Sequence, residues 1–404
     1  MTLPSRRVAI TGLGAISALG TDVPMLWSAI LRSACGIGPI RSIATDRLAV
    51  RTAAEIQGFD PGLHFDDRSR AALDRVSQLA LVAAREAVAA GAPGTEAPRR
   101  AGVVLGAALG QATLDSSYRS FYGEGAKRLH PMTVPRSMPS APASHLSIEF
   151  GLRGPCFATA SACASSAHAI GLAFHMVRSG MLDLAVTGGC DASIQVGYLK
   201  AWDSLRILSP NVCRPFSRDR EGLVIGEGAG ILVLEPWEAA RARGATIHAE
   251  LVGFGMSADA ADLTAPSATG AAQAMRDALD DAGLPSDSVD YVNAHGTGTR
   301  LNDKTEVEAL TQVFGAHLKK LPVSSSKSMF GHCLNAAGAL ELVVTALALR
   351  EGVLPPTLGF READPECAID CVPNQARPAA IEVAISNSFA FGGLNAALVL
   401  KKAP

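Results

Sequence analysis

Two helices built almost wholly from small residues recur in this chain at one spacing, and they narrow the choice of fold sharply. Cys163 opens the first, which runs to Arg178-Ser179-Gly180, and Asn335 opens the second, which runs to Arg350-Glu351-Gly352. Each closing glycine stands seventeen positions after its opening residue. Helices so rich in Ala, Gly and Ser let backbones pack closely. A pair of them predicts a duplicated α/β fold with two paired central helices. Chance likeness between two ordinary helices is the competing reading of the repeat taken alone.

The rest of the chain alternates short β-branched runs with longer Ala-rich ones. Val8–Thr11, Ala101–Leu105, Leu184–Thr187, Ile231–Leu234, Ala249–Gly253, Tyr291–Asn293, Pro322–Ser324 and Ile381–Ile385 read as strands. Arg70–Ala90, Ser165–Arg178, Gly270–Ala282 and Ala336–Arg350 read as helices. Such alternation implies an α/β architecture with mixed sheets covered by helices. Of 404 residues, 48% are hydrophobic and 18% charged, enough apolar content for a large core and too much for a disordered chain. The join between the two halves is expected at Ala245–Ala249, which divides the chain into residues 1–248 and 249–404.

A formal net charge of -2 gives no global pull toward nucleic acid or an anionic membrane. No apolar run is long enough to span a bilayer, and the Ala-rich stretch after Gly338 is interrupted by Glu341. Arg6-Arg7 ahead of an apolar stretch resembles the start of an export signal, but Gly12, Gly14 and Gly20 break that stretch, so it reads as a first strand. The eight cysteines form no CxxC pair, which argues against a disulfide framework and a structural zinc site. The thiols read as reduced, the compartment as cytoplasmic, and no metal is expected.

Four segments carry chemistry. In the first, a β-branched or aromatic approach ends in tiny residues and a helix follows at once, which places Cys163 at a strand–turn–helix junction. A thiol at a helix start feels the positive end of the macrodipole, which favours the thiolate, and free backbone amides there suit an oxyanion. An average cysteine is a buried inert thiol, and only the surrounding pattern reverses that reading. In the second, His295 sits at the tip of a strand before a Gly/Thr loop, a common way to place an imidazole at a sheet edge. A histidine that merely braces its turn is the plainer alternative. Neither this loop nor Gly12-Leu-Gly14 fits a phosphate or dinucleotide fingerprint. In the third, Lys327 precedes His332, which leads into the second small-residue helix. In the fourth, Phe389 and Phe391 flank Gly392-Gly393, where the backbone is free to move.

Together these segments resemble the β-ketoacyl-acyl-carrier-protein synthases of the type II, elongating class. The resemblance spans nearly the whole chain, from VAITGLGAISALG to SNSFAFGGLNAALVLKK. Between them lie TASACASS, CRPFSRDREGLVIGEGAG, VNAHGTGTRLNDKTE, SSSKSMFGH and LREGVLPPT, in order. LKAW, SADAADLTAP and READPEC are similar to nodulation protein E and its relatives. The resemblance implies a thiolase-like fold of two duplicated αβαβα halves in five layers.

It also implies a reaction and its residues. Cys163 takes an acyl chain as a thioester, with the backbone amides of Cys163 and Phe391 as oxyanion hole and Phe389 and Phe391 at the gate. His295 and His332 stabilise the enolate formed when a malonyl group loses its carboxylate, and Lys327 supports the site. Glu306 is structural. Thr297 and Thr299 contact a phosphopantetheine arm, and Leu109 borders the acyl pocket. Arg68, Lys127, Arg128 and Arg206 form a basic rim for an acidic partner. No cofactor is needed, because phosphopantetheine arrives on an acyl carrier protein loaded with acyl or malonyl groups. A homodimer is implied. The sequence departs from the family at Leu394, where Thr is usual, and near Asn335, where Gly or Thr is.

The rival readings belong to other classes. A chain-length-setting partner subunit of a heterodimeric ketosynthase typically lacks the nucleophile that this chain keeps. A cysteine hydrolase needs one histidine and no gated apolar tunnel. A degradative thiolase uses a second cysteine near the C-terminus, and Ser386–Asn395 contains none.

Overall fold

The VAITGLGAI run forms strand β1 (Val8–Ile16), buried along its whole length. In the computed structural model, which describes residues 6–91, 100–107 and 110–404, nine more strands join it in one sheet system. They are β2 (Ala101–Ala107), β3 (Cys156–Thr159), β4 (Leu184–Asp191), β5 (Gly228–Pro236), β6 (Ala249–Ala258), β7 (Tyr291–Asn293), β8 (Val323–Ser324), β9 (Val383–Ala390) and β10 (Leu394–Lys401). The principal helices are α1 (Arg75–Gly91), α2 (Ala141–Phe150), α3 (Ser165–Arg178), α4 (Val196–Leu205), α5 (Ala268–Ala282), α6 (Arg300–Phe314) and α7 (Ala337–Glu351).

Strand order shows the duplication directly. It runs β3-β2-β4-β5-β1-β6-β10-β9-β7-β8, so the first five strands and the last five repeat one order in mirror image. Within the first set β3, β2 and β4 are parallel, while β5 is antiparallel to β4 and to β1. The second set repeats this with β8, β7 and β9 parallel and β10 antiparallel to β9 and β6. The sets meet edge to edge through an antiparallel pairing of Val8 with Leu251 and Ile10 with Ala249.

Helices complete five layers. α1 and α2 cover the outer face of the first set, and α5 and α6 cover that of the second. α3 and α7 pack on each other between the sets and touch strands of both. A helix in that position has no wet face, which is why Ala337 through Leu349 are all buried. Small residues let the two helices close up. The Ala339 amide donates to Ser166 Oγ at 3.0 Å, and a methyl group on Gly338 would lie 3.2 Å from the Ala167 Cβ.

The repeat reaches the backbone torsions. Each central helix follows a short 3-10 turn, Ala162–Ala164 before α3 and Leu334–Ala336 before α7. Ala162 (φ 46°) and Leu334 (φ 44°) both take the left-handed conformation that non-glycine residues avoid, and Cys163 and Asn335 each follow directly.

Three expectations change. The helix predicted over Arg70–Ala90 is two: Asp67–Ala72 ends at an extended, buried Leu73, and α1 starts after Asp74. Asp74 accepts the Val76 amide at 3.0 Å and the Thr113 amide at 2.7 Å, so it caps α1 and ties it to the first turn of the distant helix Gln111–Tyr118. The strand expected from Ile381 begins at Val383. β10 is a strand beyond those expected, whereas β3 supplies the strand expected just ahead of Cys163. β10 lies inside its set between β9 and β6, and β3 is an edge strand of only four residues. Among the described residues no helix is long and apolar enough to cross a membrane.

The glycines of β1 have a steric reason unrelated to nucleotides. A Cβ at Gly14 would stand 1.9 Å from the Ala83 carbonyl oxygen of α1. Gly14→Ala should therefore cost about 1–3 kcal/mol of stability through overpacking. A denaturation midpoint equal to that of the wild type would contradict this close approach.

Candidate active site

Residues far apart in sequence converge on one cavity of about 960 Å³. Cys163 enters from the turn before α3, His295 from the loop after β7, and His332 from the segment before α7. Thr297, Thr299, Phe389 and Phe391 line the same space. Lys327 lies behind the histidines with no exposed surface.

The two imidazoles are held differently, His332 by backbone and His295 by a side chain. His332 pairs with Val224, its amide donating to the Val224 carbonyl at 2.7 Å, and its Nδ1 accepts the Leu334 amide at 3.2 Å. A neutral ring that accepts at Nδ1 carries its proton on Nε2. His295 and Gly296 donate their amides to Glu306 on α6 at 2.8 and 2.7 Å, so one carboxylate orients the loop. Nδ1 of His295 faces the Lys327 amine at 3.3 Å. An ammonium offers only donors, so His295 also keeps its proton on Nε2. The two rings lie edge to face with centroids 5.3 Å apart, and Phe389 packs edge-on against His295 at 6.1 Å.

Burial sets the charge states. It is the main force holding both imidazoles well below their ordinary range, with Lys327 adding to it. Burial also pushes the Cys163 thiol up to about 12, against the pull of Lys327 and with a further push from Asp191. This corrects the expectation of a favoured thiolate: burial of the thiol outweighs the helix start. Burial lifts Glu306 and Glu341 to about 7. The resting cavity thus holds a neutral thiol and two neutral imidazoles.

Lys327 donates to Glu341 Oε1 at 2.5 Å, and neither side chain is exposed. Sequence reading noted Glu341 only as a break in an apolar run. A carboxylate in the middle of an apolar helical run was the signal, because such a group needs a buried partner. Arg220 was missed too. It reaches the Thr299 and Arg300 carbonyls at 3.4 and 3.1 Å and lies 3.6 Å from Asp303, fixing the loop that carries Thr297 and Thr299. Those threonines share a hydroxyl–hydroxyl hydrogen bond of 2.9 Å.

Phe391 stands in the turn between β9 and β10, 37% exposed, and stacks on Trp202 of α4 at 6.1 Å. Gly392 (φ 85°) and Gly393 (φ 66°) supply the left-handed torsions this turn requires. The Gly392 amide donates to the Leu263 carbonyl at 2.7 Å, and the partly buried Leu394 opens β10 beside it. Of the four residues expected to form a basic rim, Arg206 borders the cavity, ending α4 in a left-handed cap (φ 56°). Arg68, Lys127 and Arg128 are exposed but not part of its lining. Leu109 lies outside the described residues.

The charge states are open to direct measurement. In ¹⁵N-histidine NMR, His295 and His332 should stay in the neutral Nε2–H form as pH falls through 6.5, the ordinary imidazole value. Either ring titrating at or above that value would contradict the assignment. Because the unfolded chain takes up these protons and the folded chain does not, the two histidines contribute stability above that pH and lose it as pH falls.

Comparison with known proteins agrees with this geometry. The model for the β-ketoacyl synthase N-terminal domain matches residues 5–240, and that for the C-terminal domain matches residues 248–361. Nodulation protein E of Rhizobium sp. (strain N33) is 46% identical over 400 residues, covering 98% of this chain and 99% of the relative. The 3-oxoacyl-[acyl-carrier-protein] synthase 2 of Staphylococcus aureus (strain COL) is 42% identical over 408 residues, with the same coverage of 98% and 99%. The solved structure of the ishigamide ketosynthase/chain length factor superposes with a TM-score of 0.94 at 37% identity, covering 99% of this chain and 100% of that one. The chain therefore belongs to the β-ketoacyl synthase family of condensing acyltransferases.

Proposed function

We propose that the protein is a 3-oxoacyl-[acyl-carrier-protein] synthase that lengthens a fatty-acyl chain by two carbons through decarboxylative Claisen condensation. The observation that carries this reading is one cavity lined by a neutral thiol and two imidazoles that each present an Nε2–H. Donors of that kind suit an oxygen on which negative charge develops only during reaction.

In the first step the Cys163 sulfur attacks the thioester of an acyl carrier protein. A new C–S bond forms on Cys163, the old one breaks, and the thiol proton leaves with the phosphopantetheine sulfur. Backbone amides of Cys163 and Phe391 hold the oxyanion. Malonyl carrier protein then enters along Thr297 and Thr299. Its C–C bond to the carboxylate breaks, carbon dioxide leaves, and the electron pair passes to an enolate whose oxygen accepts from His295 and His332. The enolate carbon attacks the acyl-Cys163 carbonyl, forming the C–C bond and expelling the Cys163 sulfur as a thiolate, which takes up a proton from water to restore the thiol. Lys327 keeps the imidazoles unprotonated. Phe391, resting on Trp202, gates the mouth. Arg206, and farther out Arg68, Lys127 and Arg128, meet the carrier protein.

In this reading residues 1–248 supply the nucleophile and residues 249–404 supply both histidines, and two such chains pair as a homodimer. The second reading is a chain-length-setting subunit in a heterodimer, which the name of the ishigamide relative brings forward. Retention of Cys163, His295 and His332 on one cavity favours the catalytic reading.

Incubation with acyl and malonyl carrier proteins, followed by mass analysis, tests it. The wild type should release a product two carbons longer, and Cys163→Ala should release none. His332→Ala should leave acyl transfer largely intact and slow malonyl decarboxylation by about a hundredfold or more. Full condensation by Cys163→Ala would overturn the mechanism. Equal loss of both steps in His332→Ala would reassign that residue.

A further inference from the structure

The turn that carries Cys163 is braced from the second half of the fold. Asn335 holds in that half the place that Cys163 holds in the first, directly after a left-handed residue. Its side chain is not part of the cavity lining. Instead Nδ2 donates to Asp191 Oδ2 at 2.6 Å, and its backbone amide donates to the same oxygen at 3.2 Å. With the amide nitrogen committed to a carboxylate, Oδ1 must face the other way, where it accepts the Ser165 hydroxyl at 2.9 Å.

Ser165 is the link to the nucleophile. Its Oγ accepts the Ser161 amide at 2.9 Å and lies 2.7 Å from the Ala162 carbonyl, so one hydroxyl touches the turn on both sides of the left-handed torsion. The hydroxyl has a single hydrogen, for which Ala162 and Asn335 compete. Ser165 and Asp191 have no exposed surface, so water does not take over either role. A strained torsion persists only where its surroundings hold it.

We propose that Asn335 is a positioning residue for Cys163: anchored on Asp191, it holds Ser165 and, through it, the turn that aims the thiol into the cavity. This rests on reading Cys163 as the nucleophile. The brace bears on the step that uses the thiol. Malonyl decarboxylation, which uses His295 and His332, does not require it.

The test compares wild type, Asn335→Ala, Ser165→Ala and the double variant in three measurements. These are single-turnover acyl transfer from acyl carrier protein, carbon dioxide release from malonyl carrier protein, and alkylation of Cys163 by iodoacetamide. Each single variant should slow acyl transfer and alkylation about tenfold or more, as expected for a displaced reacting atom. Decarboxylation should stay within about twofold, and the double variant should be no slower than the slower single one, because both act through one chain of contacts. Acyl transfer and alkylation at wild-type rates would overturn the proposal, and so would a parallel fall in all three measurements. If Asn335→Ala does not fold, Ser165→Ala alone decides by the same criteria. A wild-type protein that accepts no acyl group would overturn the proposed function instead, and the alkylation comparison would still decide the role of Asn335.

Discussion

Lys327 and Glu341 form an ion pair in which neither side chain has exposed surface, and the character of the cavity follows from it. A buried charge is tolerated only when paired, and losing either partner strands the other. Glu341 belongs to α7, the helix enclosed by both sheets, and Lys327 to the short helix just ahead of His332. The pair therefore locks the His332 segment to the buried central helix α7. The same amine turns toward Nδ1 of His295. A positive centre behind two buried rings opposes a second ring proton on either, which leaves both as neutral donors.

The duplication explains how residues so distant in sequence meet. Each half builds a left-handed turn at the start of a central helix, and the packing of α3 on α7 brings the two turns into contact. One turn presents a thiol to the cavity. The other presents an amide that binds the first turn from behind, through Ser165. Equivalent places in the repeat thus serve different purposes, and the second half contributes to the geometry of the first as well as its own imidazoles.

Much of this was legible in the chain, for definite reasons. The small-residue helices showed because close packing restricts composition, and α3 runs over the residues read from the sequence. Cys163, His295 and His332 each stand at a junction of elements, where local pattern is strong. What stayed hidden depends on partners far along the chain. The break at Leu73-Asp74 comes from a bond to Thr113. The sheet position of β10 comes from its two neighbours, β9 and β6. Glu341 gains its meaning from Lys327, and Asn335 from Asp191, 144 positions away. The protonation of Cys163 was misjudged because a helix start is visible in a sequence and the depth of burial around it is not.

The central claim is that one thiol among eight cysteines carries the acyl chain. Peptide mapping by mass spectrometry after brief incubation with acyl carrier protein, without malonyl carrier protein, measures this directly. The account predicts the acyl mass on the peptide containing Cys163 and on no other cysteine. An acyl group on a different cysteine, or none on Cys163, would contradict it.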